Sequence, residues 1–307
     1  MLQFLVRRIL YALPTMLVIV TLAFGLLHAA PGGPFDAEKA MLPEIRASVE
    51  AAYHLDESVP RQYLRYLGRV LHGDLGPSFQ YRDTSVNTLI AQGLPIDLTV
   101  GGLALLVALL VGIPLGIVAA LRRNSFWDRL SMGVAMLGIS VPVYVTAPLL
   151  VLLFAVALRW LPAGDWGDGE WHHLVLPVLA LSLPYIAYVA RLLRTSLIEV
   201  LQAPYIRTAR AKGLPWRDIV LRHALKPAML PLVSFLGPAA VGVLTGSIVI
   251  ETTFGLPGIG RFFVDGAFNR DYTLVMGVTI LYGGLIVLAN LVADLCYAML
   301  DPRVRLS

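Results

Sequence analysis

The feature that constrains this chain most is the spacing of its apolar runs. Six segments, approximately Ile9–His28, Leu98–Leu121, Leu130–Leu158, Leu174–Leu193, Pro227–Ile250 and Leu274–Leu300, are each long enough to cross a bilayer as a helix, which takes ~20 apolar residues. The third and sixth exceed that need, so each must tilt, kink or run past the interface. Internal prolines at Pro14, Pro114, Pro142, Pro148, Pro177, Pro184, Pro231 and Pro238 are tolerable where neighbouring helices satisfy the freed carbonyls. Of the 307 residues 57% are hydrophobic and only 14% charged, against ~25% in soluble domains. A soluble globular chain and a disordered one are both excluded. Arg7 and Arg8 precede an apolar stretch longer than the ~7–15 residues of a cleaved signal core, and Pro31 spoils the site after Ala30. The expectation is an all-α integral membrane protein with six transmembrane helices, the first retained, forming one domain over 1–307.

The net charge of +4 comes from 24 basic and 20 acidic residues, and its placement points away from nucleic acid. Lysine occurs only at Lys39, Lys212 and Lys226, and most arginines flank apolar runs. With the N-terminus inside, the inner segments hold Arg7, Arg8, Arg122, Arg123, Arg129, the set from Arg191 to Lys226, Arg303 and Arg305. The short outer loops then hold just Arg159, Arg261 and Arg270. That asymmetry places both termini in the cytoplasm and surrounds the chain with membrane lipid. Residues 31–95 form the large outer segment, with helical patterning at Tyr53, Leu55, Tyr63, Leu64, Leu67 and Leu71 that Gly73-Asp74-Leu75-Gly76-Pro77 ends. It is too small for an enzyme domain and reads as a cap on the outer face. Cys296, the single cysteine, says nothing about redox compartment.

The inner segment 196–226 is the most informative. Pro204 suits the first turn of a helix and Gly213 its C′ position. Pro215 can start a second helix with Trp216, Ile219, Val220 and Ala224 on one face, and Asp218 and Arg222 stand at i,i+4. Pro227 marks the start of the fifth span. Two short amphipathic helices therefore meet at Gly213-Leu214-Pro215, either as a basic connector among anionic headgroups or as a docking element for a partner.

Tyr205-IRTARAKGLP and Arg222-HALKPAMLP resemble the coupling loop of binding-protein-dependent ABC importer permeases. Arg7-RIL, Ala30-PGGPF, Gly73-DLGPSF, Gly246-SIVIETTFGLPGIG, Asn269-RDY and Asp301-PRVR resemble the oligopeptide permease branch, across nearly the whole chain. The resemblance implies the type I importer permease fold in a bacterial inner membrane. It implies a complex with a second related permease, two cytoplasmic ATPase subunits and an extracytoplasmic peptide-binding protein. It also implies that Tyr205, Ile206, Arg207, Thr208, Ala209, Arg210, Ala211, Lys212, Gly213, Leu214 and Pro215 couple the permease to an ATPase. One departure stands out: the family's loop opens on Glu-Ala-Ala, and the matching positions here are Arg207, Thr208 and Ala209. A Glu-based contact cannot be carried over.

Missing motifs matter as much. No lysine has Gly before it and Ser or Thr after it, so there is no phosphate-binding loop; ATP and Mg belong to partner chains, and no cofactor or catalytic residue is expected here. Gly255-LPGIG lacks a lysine and reads as a tight re-entrant turn or a support of an outer gate. His-Glu-x-x-His and Gly-x-Ser-x-Gly are absent, and the adjacent His172 and His173 are not spaced to share a metal. The spans carry almost no charge, unlike ion-coupled carriers. Arg191 and Arg194 can snorkel at the inner end of the fourth span, while Asp97 and Glu251 should be wet at the outer boundary. Asp294, with Asn290 one turn before it, is either a helix-to-helix contact or part of the substrate path. Gly112/Gly116 and Gly242/Gly246 have the small-xxx-small spacing of close helix packing, within the subunit or at a seam with a second permease.

Overall fold

The computed structural model describes residues 2–35, 43–245 and 247–300. Lys39, Gly246 and the terminal Asp301-PRVR segment with Arg303 and Arg305 lie outside them. The described residues hold five helices long and apolar enough to span, and six if one sharply bent pair counts as a span. They divide into two compact units, one built from Leu5–Ile96 with Pro257–Leu285, the other chiefly from Asp97–Leu256 with the chain from Ile286 onward.

The first unit contains α1 (Leu2–Ala29), α2 (Pro43–Ala52), α3 (Val59–Leu71), the start of α4 (Val86–Leu121), α13 (Ile259–Phe268) and the start of α14 (Tyr272–Leu300). Tyr53 and Leu55 lie in the turn after α2, where His54 has a positive φ, so the expected continuous helical pattern is two helices. One face of α3 packs Tyr63, Tyr66 and Leu67 against Val20 and Phe24 of α1 and Met276 of α14, while Leu64 and Leu71 stay exposed. Burial pushes the Tyr66 phenol above its usual pKa.

Three of the motifs noted in sequence converge in this unit. Asp271, fully buried, accepts the Ser78 hydroxyl and the Phe79 and Gln80 N–H groups at 2.9 and 3.0 Å on one oxygen. Its other oxygen accepts the Leu274 N–H at 3.0 Å, capping α14. The Tyr272 hydroxyl donates to the Gly32 carbonyl at 3.2 Å. Phe79 lies against the rings of Phe35, Tyr53 and Tyr272. Ala30-PGGPF, Gly73-DLGPSF and Asn269-RDY are thus parts of one knot.

Two boundaries differ from expectation. α4 begins at Val86, twelve residues before Leu98, so Pro95 is inside a helix. Asp97 is consequently mid-helix and 2% exposed, and Glu251 is 1% exposed; neither is wet. The third apolar run is two helices, α5 (Phe126–Ser140) and α6 (Val143–Leu150), bent by 104°. Val141 is extended before Pro142, because the proline ring disfavours helical backbone in the residue it follows. α6 then widens into a π-helical stretch, Val151–Ala157.

In the second unit α7 (Trp171–Leu201) is the helix others approach most closely. A Cβ on Gly112 would stand 2.8 Å from Val189, on Gly116 2.7 Å from the Ala190 carbonyl, and on Gly138 2.8 Å from the Leu183 carbonyl. Small residues on α4 and α5 therefore let their backbones reach α7, and the first small-xxx-small pair packs within the subunit. The unit is completed by α8 (Pro204–Ala211), α9 (Trp216–Asp218), a π-helical stretch (Ile219–Ala224), α10 (Leu225–Ala228), α11 (Leu230–Thr245) and α12 (Ser247–Phe254). Pro227 lies inside α10, and the break before the fifth span falls at Met229.

Candidate functional site

The segment 203–229 folds as a small platform. Ala203 caps α8, and Pro204 opens it where a missing N–H costs nothing. α8 ends in a Schellman motif: Gly213 N–H donates to the Arg210 carbonyl at 2.9 Å and Leu214 N–H to the Ala209 carbonyl at 3.3 Å. Gly213 carries φ +77°, the left-handed region that a residue with Cβ enters at a cost of about 1–2 kcal/mol. Pro215 then caps α9.

The two faces of α8 are chemically opposite. Ile206 and Ala209 are buried in an apolar cluster with Ala120 of α4, Leu193 and Leu197 of α7, and Ile219, Ala224 and Ala228 of the second arm. Tyr205, Arg207, Thr208, Arg210, Ala211, Lys212, Gly213, Leu214 and Pro215 are all exposed. The Arg210 guanidinium lies 4.5 Å over the Trp216 ring, a cation–π contact that props both side chains at the corner. Ile219, Val220 and Ala224 are buried as the pattern required, but Trp216 is exposed. Asp218 and Arg222 pair at 3.6 Å in the open, and the His223 Nδ1 sits 3.2 Å from the Asp218 carbonyl.

The structure brings the eleven loop residues together but not the other candidates. Asn290 is exposed on α14, and its amide oxygen faces Gly237 of α11, 3.2 Å from where a Cβ would be. Asp294, a turn further on, is partly buried. His173 points its Nδ1 at the Gly164 carbonyl at 3.0 Å, and His172 stacks on Trp171.

One pair was missed by the sequence reading. Arg194 does not snorkel: its Nε and Nη2 donate to the two oxygens of Asp128 at 2.6 and 2.8 Å. Asp128, 3% exposed, also accepts the Asn124 N–H at 2.8 Å, while Ser125 caps α5 by accepting the Asp128 N–H at 3.3 Å. The Ser125-Phe-Trp-Asp128 spacing of a capping box was a visible signal for the helix start, though not for the arginine.

Spanning helices with a loop seated on their inner packing cluster define an integral membrane protein. The chain belongs to the family described as binding-protein-dependent transport system inner membrane component, which it matches over residues 112–306, with the N-terminal region of the same family matched over residues 1–100. It is 52% identical to the oligopeptide transport system permease protein OppB of Escherichia coli K12, over 99% of this chain and 100% of that one. The dipeptide transport system permease protein DppB of Bacillus subtilis is 41% identical over 100% and 99% of the two chains. Among solved structures, an inward-facing MetNI methionine ABC transporter matches 69% of this chain and 96% of its own, with a TM-score of 0.58 and 17% identity; it shares the fold. The protein is therefore a multi-pass inner-membrane permease subunit of an ABC importer, with ATP hydrolysis on other subunits.

Proposed function

We propose that this chain forms one half of the membrane pathway for oligopeptides, and that 203–229 is the loop through which an ATPase drives it. The observation that carries the cargo assignment is full-length identity of 52% to oligopeptide permeases, against 41% to a dipeptide permease. The partners are a second related permease, two ATPase subunits that hold ATP and Mg, and an extracytoplasmic peptide-binding protein. The termini and residues 196–226 are cytoplasmic, and the segment after α1 is an outer cap.

The coupling role is supported by the two faces of α8. A buried apolar face makes the platform move with α4 and α7, and a bare cationic corner is available to a partner's cleft. ATP binding closes the ATPase pair, the platform is pulled, and the spans rock to admit peptide. Asn290 and Asp294 are the candidate polar groups of the path, with a helix-to-helix role for Asp294 as the alternative; a path lined by apolar groups and backbone, with trapped water, would suit cargo with variable side chains.

A transport competition assay on the assembled complex tests the cargo. Peptides of graded length above two residues should compete with import, and dipeptides should not; competition by dipeptides alone would move the chain to the dipeptide branch. Cysteines at Ser48 or Asp168 should react with an impermeant thiol reagent from outside, and one at Arg210 should not. Labelling of Arg210 in sealed cells overturns the orientation.

A further inference from the structure

We infer that the Asp128–Arg194 pair is the tie that makes α5 follow the coupling platform, so that both are positioning residues for transport; this rests on the coupling-loop reading above. Arg194 sits on α7 in the same turn as Leu193 and Leu197, which seat Ile206 and Ala209 of α8. A force on α8 is therefore delivered first to the stretch of α7 that carries the arginine. From there it has a directional link to α5, because a bidentate guanidinium–carboxylate contact is planar and fixes orientation as well as distance. A single hydrogen bond or an apolar contact would permit swivelling.

The carboxylate is held at its own end too. The Asn124 N–H bonds one oxygen and Ser125 caps the helix, so Asp128 is part of the rigid first turn of α5 and not a flexible arm. At the other end of α5, Gly138 lets that helix abut the Leu183 carbonyl of α7. α5 is thus pinned to α7 at two points, 128 to 194 and 138 to 183, and must turn with it. The motion arrives at Val141-Pro142, where the backbone breaks and α6 leaves at 104°. A joint there lets α5 move as a lever on α6. A pair kept only for stability would need neither the bidentate geometry nor its place beside the α8 seat.

The test uses the complete complex in proteoliposomes, scored as peptide imported per ATP hydrolysed, on a Cys296→Ala background. Asp128→Asn and Arg194→Gln should retain their ATPases and hydrolyse ATP, with the import-per-ATP ratio at least fivefold lower. Arg194→Lys, which keeps the charge but loses the fork, should fall between them and the parent. Asp128→Cys with Arg194→Cys should be uncoupled as thiols and recover coupling once bridged by a short bifunctional thiol reagent. Import and hydrolysis falling together at an unchanged ratio would make the pair structural only, and so overturn the inference. So would a bridge that leaves the ratio low, or Arg194→Lys behaving as the parent. Gly213→Val in the same assay separates the two readings: if it couples normally, the platform is not the coupling element. If it uncouples while Asp128→Asn does not, the platform stands and the tie fails.

Discussion

Around Asp271 the polar groups turn inward, whereas along α8 they turn out. At Asp271, one carboxylate gathers two hydroxyls and three backbone N–H groups from two distant segments, two of them from residues beside the packed rings of Tyr53, Phe79 and Tyr272. At α8 Ile206 and Ala209 are spent on the seat, and Arg207, Arg210 and Lys212 face solvent with Arg210 braced on Trp216. Both segments resemble family motifs, so a motif match alone does not tell a structural knot from an interface. Accounting for the hydrogen-bonding groups separates them: where they are satisfied internally the motif holds the fold, and where they face solvent they are open to water and, on the proposed reading, to a partner.

The largest effect should come from Asp271→Ala. It strands the Ser78 hydroxyl and the Phe79 and Leu274 N–H groups, while the Gln80 N–H keeps the Ser78 Oγ; each orphan costs about 1–3 kcal/mol, and folded protein recovered from membranes should fall severely. Thermal melting and detergent-resistant yield check this; a normal melting temperature would mean the knot is ornamental. Gly213→Val should reverse the pattern. Nothing lies within 4 Å of a Cβ there, so the cost is the local backbone strain of about 1–2 kcal/mol, and folded yield should hold. ATPase retention or import should drop about tenfold, read by pull-down and transport at equal expression. The smallest effect belongs to neutralising Arg207, Arg210 and Arg217 together. Exposed charges contribute about 0–1 kcal/mol each, so melting should not change and association with the ATPases should become a few-fold weaker and less salt-dependent. If this triple variant is severe and Gly213→Val mild, the loop is a headgroup-lying connector and the contrast between the two regions collapses.

Much of this architecture was legible because a bilayer demands long apolar runs, and such runs survive any detail of packing. Gly213 was legible for a similar reason: a left-handed helix end is a local requirement with one favoured residue. What failed was non-local. The second span was expected to begin at Leu98 with Asp97 wet beside it, yet the helix runs from Val86 and packing buries Asp97. The break at Val141-Pro142 was one of several prolines in spans, and sequence does not say which of them bends the chain. Arg194 looked like a snorkelling residue because its partner lies 66 positions away. The two π-helical stretches left no mark that periodicity could detect.

The Asp271 knot also sets a timetable for biosynthesis. Its carboxylate is made 193 residues after Ser78, which at ~5–20 residues per second is about 10–40 s of translation. Within that interval the ribosome produces Asp97–Leu256, and the Ser78 hydroxyl and Phe79 N–H stand without their carboxylate. A nascent chain halted between 230 and 270 carries every residue of the 203–229 platform but an unfinished first unit, and it is the form that quality-control proteases should remove.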